Sequence, residues 1–344
     1  MDAVDKNQHA VFAHAPFDHL DAADIIIRSS DGVHFRMIKV LLSLVSTIFK
    51  DMFDLPRSEN NSVDETRNGL PIVDLTESSG TIKNLLSFCY PAIYAAKVRL
   101  ETLSEVGALL EVAMKYEMGG ICKDVIESLI KPPFLQEEPL RVYAIASRHK
   151  LKEQATLAAK YTLRRPILQD TYFPELASIS GRELYHVLRY RKDCAEAAMK
   201  VATEHSWITQ DGYAFFNCGC ADDEIAGYTQ IRSASSRRYK RGYSLKVGVH
   251  RWWFEYMESA RLALQSSSHG ETVKKLTTLD HTFAMAQTCS ACGPNVVADL
   301  RRFINKFREE IEQRISEVCI IPIRQQGLLT KNLSAGSASV RLLG

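Results

Sequence analysis

The sequence predicts an α+β domain over residues 20–130, followed by a mainly α-helical region. Three observations predict it. Two apolar runs flank an Asp-Gly pair within residues 25–37, which is typical of a β-hairpin. From Lys39 the apolar spacing changes from two residues to three and four, which indicates a helix. Beyond residue 130, helical spacing recurs in most segments up to residue 318.

The hairpin and the helix after it come first in the chain. Ile25–Ile27 is a β-branched run that favours a buried strand, and Asp31-Gly32 supplies the turn. Val33, Phe35 and Met37 then alternate with polar residues, as on a strand with one buried face. In the helix that follows, the apolar positions are Leu41, Leu44, Val45, Ile48, Phe49 and Met52. We expect this face to pack inward.

The rest of the α+β domain reads as one strand and three helices. Residues 57–69 are polar and predict a loop, and residues 70–75 predict a short strand. A helix follows over residues 82–89, closed before Pro91. Thr102 stands three residues before Glu105, a capping box that starts the next helix. Residues 121–130 form the last helix before a Pro-Pro pair.

This order of elements resembles the BTB/POZ domain, a small three-stranded sheet capped by helices. The family pattern is matched by Asp24, Asp31–Gly32, Lys39, Leu42, Ser46, Phe49, Met52–Phe53, Ala113 and Lys115–Met118. Ile38 stands where the family has a His, so we expect lost polar bonding there without loss of the fold. The segments RSSDGVHF and DLTESSGTIKNLLSFCYP look most like BTB proteins abundant in mushroom-forming (basidiomycete) fungi.

The resemblance implies a function in protein contact. Some BTB domains self-associate, and many recruit a cullin scaffold and so bring substrates to ubiquitin transfer. Val63-Asp64-Glu65 matches the hydrophobic-x-Glu motif of cullin-binding members, with an apolar anchor and an orienting carboxylate. A solvated acidic loop is the alternative. Phe49 and Tyr116 are further interface candidates by resemblance, with core packing as the alternative. The short segment before Asp24, interrupted by Pro16, argues against a strand-exchanged dimer.

The region after the BTB-like segment is predicted to be helical. Residues 137–206 form a helical extension in which Ser180 and Glu183 make a second capping box. Residues 207–325 form a helical C-terminal region with a mobile basic loop at 221–246. Of the adjacent Trp252 and Trp253, one is expected to pack and the other to be half-exposed. Residues 1–19 and 326–344 are expected to be disordered.

Composition and motifs exclude several classes of function. Lys and Arg number 43 against 41 Asp and Glu, so the net charge of +2 gives no field for nucleic acid or anionic membranes. No secretory signal or long apolar span is present, which predicts a cytoplasmic or nuclear protein. P-loop, Rossmann, zinc-protease and nucleophile-elbow motifs are absent, and we expect no enzyme.

Four cysteines form two close pairs that suit one structural zinc ion. They are Cys218, Cys220, Cys289 and Cys292. Four thiolates at tetrahedral geometry bind zinc in preference to harder cations. The resemblance adds paired cysteines near these two places. Coincidence, or a disulfide formed on oxidation, is the alternative. The other four cysteines, Cys89, Cys122, Cys194 and Cys319, are expected to be small buried apolar residues.

The prediction is therefore a non-enzymatic adaptor. The BTB domain would bind a cullin-type scaffold or a sister chain, and the C-terminal region would bind a second partner. The alternative is a nuclear, transcription-regulatory protein that uses BTB self-association and the basic loop. That loop carries Arg232, Arg237, Arg238, Lys240, Arg241 and Lys246, with Tyr239 and Tyr243 between them. A solvated surface loop is the simpler interpretation of the same residues.

Overall fold

The computed structural model describes residues 11–18, 22–55, 66–90, 98–167, 172–209, 212–216, 225–232, 244–289 and 293–319. The chain divides into two compact units, Met1–Gln154 and Ala155–Gly344. The first unit thus extends past the predicted domain end at residue 130 and takes in the first part of the predicted helical extension.

A five-stranded sheet lies in the first unit. Its strands are β1 (Val11–Phe12), β2 (Ile25–Arg28), β3 (Val33–Met37), β4 (Thr66–Arg67) and β5 (Leu70–Asp74), in the order β1-β3-β2-β5-β4. The central strand β2 pairs antiparallel with β3 and parallel with β5. These three strands are the predicted three-stranded sheet. The two-residue strands β1 and β4 extend it at both edges.

The β2–β3 hairpin confirms the predicted Asp-Gly turn. Gly32 has a φ of 81°, a left-handed conformation that glycine adopts without a steric penalty. The Ser29 hydroxyl oxygen accepts a hydrogen bond from the Val33 amide at 2.9 Å. All three isoleucines of β2 are buried, because the strand lies in the middle of the sheet and is covered on both faces.

The N-terminal segment differs from its prediction. Residues 1–19 were expected to be disordered, but strand β1 at Val11–Phe12 pairs with β3. Phe17 is fully buried, and its ring lies 5.5 Å from the Phe35 ring and 5.4 Å from the Tyr90 ring. The expectation is wrong for residues 11–18, since strand β1 and the buried Phe17 hold this segment on the sheet.

The described residues of the first unit form seven helices: α1 (Lys39–Val45), α2 (Thr47–Asp54), α3 (Ser79–Cys89), α4 (Leu103–Lys115), α5 (Gly119–Leu129), α6 (Pro132–Glu137) and α7 (Pro139–Arg148). Buried leucines, isoleucines and valines of α3, α4 and α5 pack in the core. The Thr102–Glu105 capping box at the start of α4 is present as predicted.

The helix predicted after Lys39 is two helices. Ser46 is extended, with φ −141° and ψ 121°, and it ends α1 and begins α2. The predicted inward face is wrong for Leu44, Ile48 and Met52, which are exposed, and right for Phe49, which is buried together with Leu42.

The second unit is built on long helices with an aromatic core. Its helices are α8 (Lys152–Thr162, which begins just before the unit), α9 (Gly181–Thr203), α10 (Arg251–Ser266), α11 (Leu279–Gln287) and α12 (Gly293–Ser316). The Ser180–Glu183 capping box starts α9 as predicted. Phe303 on α12 is fully buried and lies at the centre of the core. The rings within 6.4 Å of it include those of Trp207, Tyr213, Phe215, Phe216, Trp253, Tyr256 and Phe307.

Both tryptophans at the start of α10 are buried, contrary to the expectation for one of them. Trp252 is 5% exposed and packs on Phe215, while Trp253 is 1% exposed and packs on Phe216 and His205. Two adjacent side chains of a helix are both covered here because neighbouring segments pack on each side of its first turn.

A second sheet lies where a basic loop was predicted. Strands β6 (Ile225–Arg232) and β7 (Ser244–His250) pair antiparallel. The prediction of a loop over residues 221–246 is wrong for 225–232 and 244–246, and residues 233–243 lie outside the described part of the chain. The strands form because Val247, Val249 and Ile231 alternate with polar residues and bury their side chains.

Candidate functional site

Helices α1 and α2 expose an unusual number of large apolar side chains. Val40 is 61% exposed, Leu44 77%, Ile48 37%, Met52 36% and Leu55 69%. We call these five residues the α1–α2 surface. They recur at intervals of four, four, four and three residues along two consecutive helices, so they are not single apolar residues scattered over the molecule.

The start of α1 is fixed from the sheet. The Asp24 carboxylate, just before β2, accepts a hydrogen bond from the Lys39 amide at 2.7 Å. Ile38 is the residue before the helix and makes no side-chain capping bond. A carboxylate from outside the helix therefore accepts the hydrogen bond of a first-turn amide, which the apolar side chain of Ile38 cannot accept.

The joint between the two helices is held by one hydroxyl. The Ser46 oxygen accepts a hydrogen bond from the Phe49 amide at 3.1 Å, which caps α2. The same hydroxyl donates to the Tyr116 carbonyl at the end of α4, at 2.6 Å. Ser46 is only 2% exposed. The orientation of α2 is therefore fixed against α4.

Phe49 and Tyr116 lie beneath the α1–α2 surface. Phe49 is 0% and Tyr116 5% exposed, and their rings stack with centroids 4.7 Å apart. This burial favours core packing, the alternative to a direct contact with a partner. Their role in this chain is to hold α2 on the domain, because each covers the apolar surface of the other.

A charged cluster holds Tyr116 from the other side. Its hydroxyl donates to Glu77 at 3.1 Å, and the Lys115 ammonium donates to the other Glu77 oxygen at 2.6 Å. Burial raises the pKa of Tyr116. Burial alone would also raise the pKa of Glu77, but the hydrogen bond and charge of Lys115 outweigh it and lower that pKa. The carboxylate therefore stays ionised beneath the surface.

The chemistry of the α1–α2 surface is that of a contact patch. Exposed Lys50, Asp51 and Asp54 stand between and beside its apolar side chains. Interfaces between proteins combine a desolvated apolar centre with a polar rim in the same way. None of its five side chains can act as a nucleophile or a base. The surface offers a partner apolar area to bury and charged side chains beside it.

The comparison with protein families agrees with this geometry. Residues 14–132 match the family model described as BTB/POZ domain. This part of the chain is a BTB/POZ domain. The match begins within the segment that carries β1 and Phe17, and it ends at the start of α6. No curated protein matches the chain. A BTB/POZ domain is a protein–protein interaction module and not a catalytic fold.

Sequence reasoning missed the exposure of the α1–α2 surface of the BTB/POZ domain. Leu44, Ile48 and Met52 were expected to face inward, and Val40 and Leu55 were not singled out. Ser46 was the available signal, because serine is one of the residues most often found at a helix N-cap. Val63 and Glu65, the predicted cullin-contact residues, lie outside the described residues.

The predicted zinc ligands are described only in part. Cys289 is half-buried two residues after the end of α11, and Cys218, Cys220 and Cys292 lie outside the described residues. Among the residues that the structure describes, no group of three or more His, Cys, Asp and Glu is placed to hold a metal ion.

The remaining cysteines differ in exposure. Cys89 and Cys194 are buried as expected, and burial raises the pKa of their thiols to about 12 and about 11. Such thiols stay protonated and unreactive at neutral pH. Cys122 is half-buried, and Cys319 is exposed, which corrects its expected burial. The described helices also include none that is long and apolar enough to cross a membrane.

Proposed function

We propose that the chain is a non-enzymatic protein–protein interaction adaptor. Its BTB/POZ domain binds a scaffold of the cullin type or a sister chain through the α1–α2 surface. The exposure of Val40, Leu44 and Leu55 is the observation that carries this proposal. Exposure of these side chains to water is unfavourable. Their burial against a partner is favourable by about 25 cal/mol per Å² of apolar area.

The construction of the surface supports a contact role. The Ser46 hydroxyl and the Phe49–Tyr116 stack fix α2 in place before any partner arrives. A rigid surface loses little conformational entropy on binding, which favours affinity. Val63 and Glu65 follow Leu55 by 8 and 10 positions in the sequence, so a partner that covers Leu55 has the hydrophobic-x-Glu motif within reach along the chain.

The C-terminal region is proposed to bind a second partner. Phe254 and Leu262 on α10 are 53% and 54% exposed. They stand eight positions apart and so share one face of the helix. Apolar side chains exposed on one helix face suit a protein partner, and this second site would let the chain bridge two proteins.

The first test measures self-association and scaffold binding with the full chain. We expect the double variant Leu44→Asp/Leu55→Asp to lose either the dimer in light scattering or the binding to a cullin N-terminal domain in titration calorimetry. The matched control is Leu188→Asp, a leucine on α9 that is 42% exposed and lies outside both proposed contact sites. If the parent chain is monomeric and binds no cullin domain at high concentration, the proposed partners are wrong.

The alternative, a nuclear regulator, makes a different prediction. Arg232 and Lys246 are exposed near the ends of β6 and β7, and the other basic residues of that segment lie outside the described part. A DNA or RNA contact there would weaken steeply as salt rises, since phosphate binding releases counterions. Fluorescence anisotropy with a labelled duplex at low and high salt separates the two proposals, because the adaptor should not bind it at either salt.

A further inference from the structure

A groove runs between α9 and α12 in the second unit. Its volume is about 370 Å³. Five of its lining residues lie on one face of α9, namely Asp193, Glu196, Ala197, Lys200 and Val201, and Glu204 directly follows the helix. Trp207 and the last residues of α12 and its extension, Arg314, Glu317 and Val318, complete the lining. We call this cleft the α9–α12 groove.

The floor of the α9–α12 groove is apolar and firm. The Trp207 ring stacks on Phe303 and Phe307 with centroids 5.5 Å apart. Its indole nitrogen donates to the Val201 carbonyl at 2.9 Å. With one ring face on two phenylalanines and its only donor engaged, Trp207 is held in place, so the groove is present before anything binds in it.

The rim of the α9–α12 groove is acidic. Four carboxylates and two cations line it. Asp193 pairs with Arg189 at 2.9 Å and Glu196 with Lys192 at 3.8 Å, so part of this charge is already compensated along α9. Glu204 and Glu317 supply the remaining negative charge, which Lys200 offsets in part, while Arg314 pairs with Glu310 at 3.0 Å. An occupant of this groove should combine apolar side chains with a positive charge.

The chain itself continues with such a segment. Glu317 and Val318 form one wall, and Cys319 is the last residue described there. The next five residues are Ile-Ile-Pro-Ile-Arg, and residues 320–344 contain two Arg, one Lys and no Asp or Glu. We propose that residues 320–324 bind in the α9–α12 groove of the same chain.

The dimensions agree with this occupant. Asp193 to Glu204 covers eleven helical positions, about 16 Å of helix at ~1.5 Å per residue. Five extended residues span about the same length at ~3.3 Å each. Isoleucine side chains of the segment cover Val201, Trp207 and Val318, and the Arg324 guanidinium reaches the carboxylates of the rim. Attachment directly at the wall keeps the local concentration of the segment high.

Limited trypsin digestion of the full chain tests the proposal. Cleavage after Arg324 is followed by mass spectrometry and compared with cleavage of a synthetic peptide of residues 318–331. Binding protects Arg324 in the chain, and Arg341 serves as an internal reference outside the bound segment. We expect Glu204→Gln/Glu317→Gln to speed cleavage after Arg324 about two- to tenfold, since each exposed charge contact contributes modestly. Added salt should have the same effect on the parent chain.

Two further variants keep the result interpretable. Ile321→Ser/Ile323→Ser removes the apolar anchors from the segment without touching the folded unit, and it should abolish protection relative to its own peptide. Glu101→Gln/Glu255→Gln removes two exposed carboxylates elsewhere and should leave protection unchanged. Cleavage after Arg324 as fast in the chain as in the peptide would overturn the proposal. Protection that the groove variant does not reduce would overturn it equally, because the segment would then bind elsewhere.

Discussion

The hydroxyl of Ser46 donates a buried hydrogen bond to the backbone carbonyl of Tyr116, 70 residues further along the chain, at 2.6 Å. The same oxygen accepts from the Phe49 amide and so caps α2. One side chain thereby sets both where α2 begins and where it is attached. The α1–α2 surface depends on this hydrogen bond, because Ile48 and Met52 lie on the helix that it positions and Leu55 directly follows that helix.

Removal of the Ser46 hydroxyl should destabilise the BTB/POZ domain. Ser46→Ala loses the cap of α2 and leaves a buried carbonyl without its donor. Loss of a helix cap costs about 1 kcal/mol, and an unsatisfied buried polar group costs about 1–3 kcal/mol. We expect the free energy of unfolding of this domain to fall by about 2–3 kcal/mol, measured by urea denaturation followed by circular dichroism.

Ser128→Ala is the matched control for Ser46. Its hydroxyl bonds only to the Asp124 carbonyl one turn earlier on α5, at 3.0 Å. That carbonyl is in a helix and keeps its intrahelical partner, so the substitution should change stability by less than about 0.5 kcal/mol. Equal effects of the two substitutions would show that the Ser46 bond contributes nothing special to the position of α2.

Gly270 in the second unit is required by close packing. Its amide donates to Glu312 on α12 at 2.7 Å. A Cβ atom there would lie 2.7 Å from that carboxylate oxygen and 2.9 Å from the Arg308 carbonyl. Gly270→Ala must therefore push the short helix Gly270–Lys274 away from α12, at a cost of about 1–3 kcal/mol.

Tryptophan fluorescence measures this effect cleanly, because all three tryptophans lie in the second unit. The control is Gly181→Ala at the start of α9, where a Cβ atom would meet nothing within 4 Å. Alanine should leave that helix unchanged or slightly more stable. A Gly270→Ala chain as stable as its parent would mean that α12 yields easily at this contact.

The sequence was sufficient for the elements that depend on local signals. The Asp-Gly hairpin, the capping boxes at Thr102 and Ser180 and the helices that they begin were all predictable. Each rests on residues within a few positions of one another, where turn and cap geometry decides the structure. The BTB/POZ assignment followed from several such signals in the right order.

Features that depend on distant contacts were not predictable in the same way. The inward face of α1 and α2 was mistaken, because the break at Ser46 is stabilised by a carbonyl 70 residues away. The β6–β7 sheet was missed because basic composition outweighed the two-residue alternation of Val247 and Val249. Trp252 and Trp253 are both buried only because Phe215 and Phe216 pack around them.

Zinc binding by Cys218, Cys220, Cys289 and Cys292 stays a prediction, and the described flanking residues support it. The Ala214 amide donates to Asp299 on α12 at 2.8 Å, and α12 begins one residue after Cys292. The Gly293 amide donates to the Cys289 carbonyl at 2.8 Å, which draws the second pair into one turn. Segments next to both pairs therefore approach the first turns of the same helix.

Metal analysis of chain purified under reducing conditions should give about one zinc per chain. Cys289→Ser should lose the metal and destabilise the second unit, while Cys122→Ser, a half-buried cysteine of the other unit, should keep it. Folded parent chain without zinc would end this hypothesis.

Acid should destabilise the chain through three histidines. Burial lowers the pKa of His149, His205 and His269 below the ordinary value of 6.5. The folded chain then binds fewer protons than the unfolded chain as the pH falls from about 6.5 through the lowered pKa values. Stability is therefore complete above about pH 6.5 and falls as the pH drops below it, with no loss from these groups in the alkaline direction.

His205 offers the sharpest test of this dependence. Its two ring nitrogens bond to Thr229 of β6 and to the Ala202 carbonyl, at 2.5 and 2.8 Å, and its ring packs edge-on against Trp253. Urea unfolding of the second unit, followed by tryptophan fluorescence, should show a lower midpoint at about pH 5.5 than at about pH 7.5. His205→Gln should be less stable at the higher pH but lose less on acidification, because it removes a group that the unfolded chain protonates more readily than the folded chain. An equal loss in the two chains would assign the acid sensitivity to other groups.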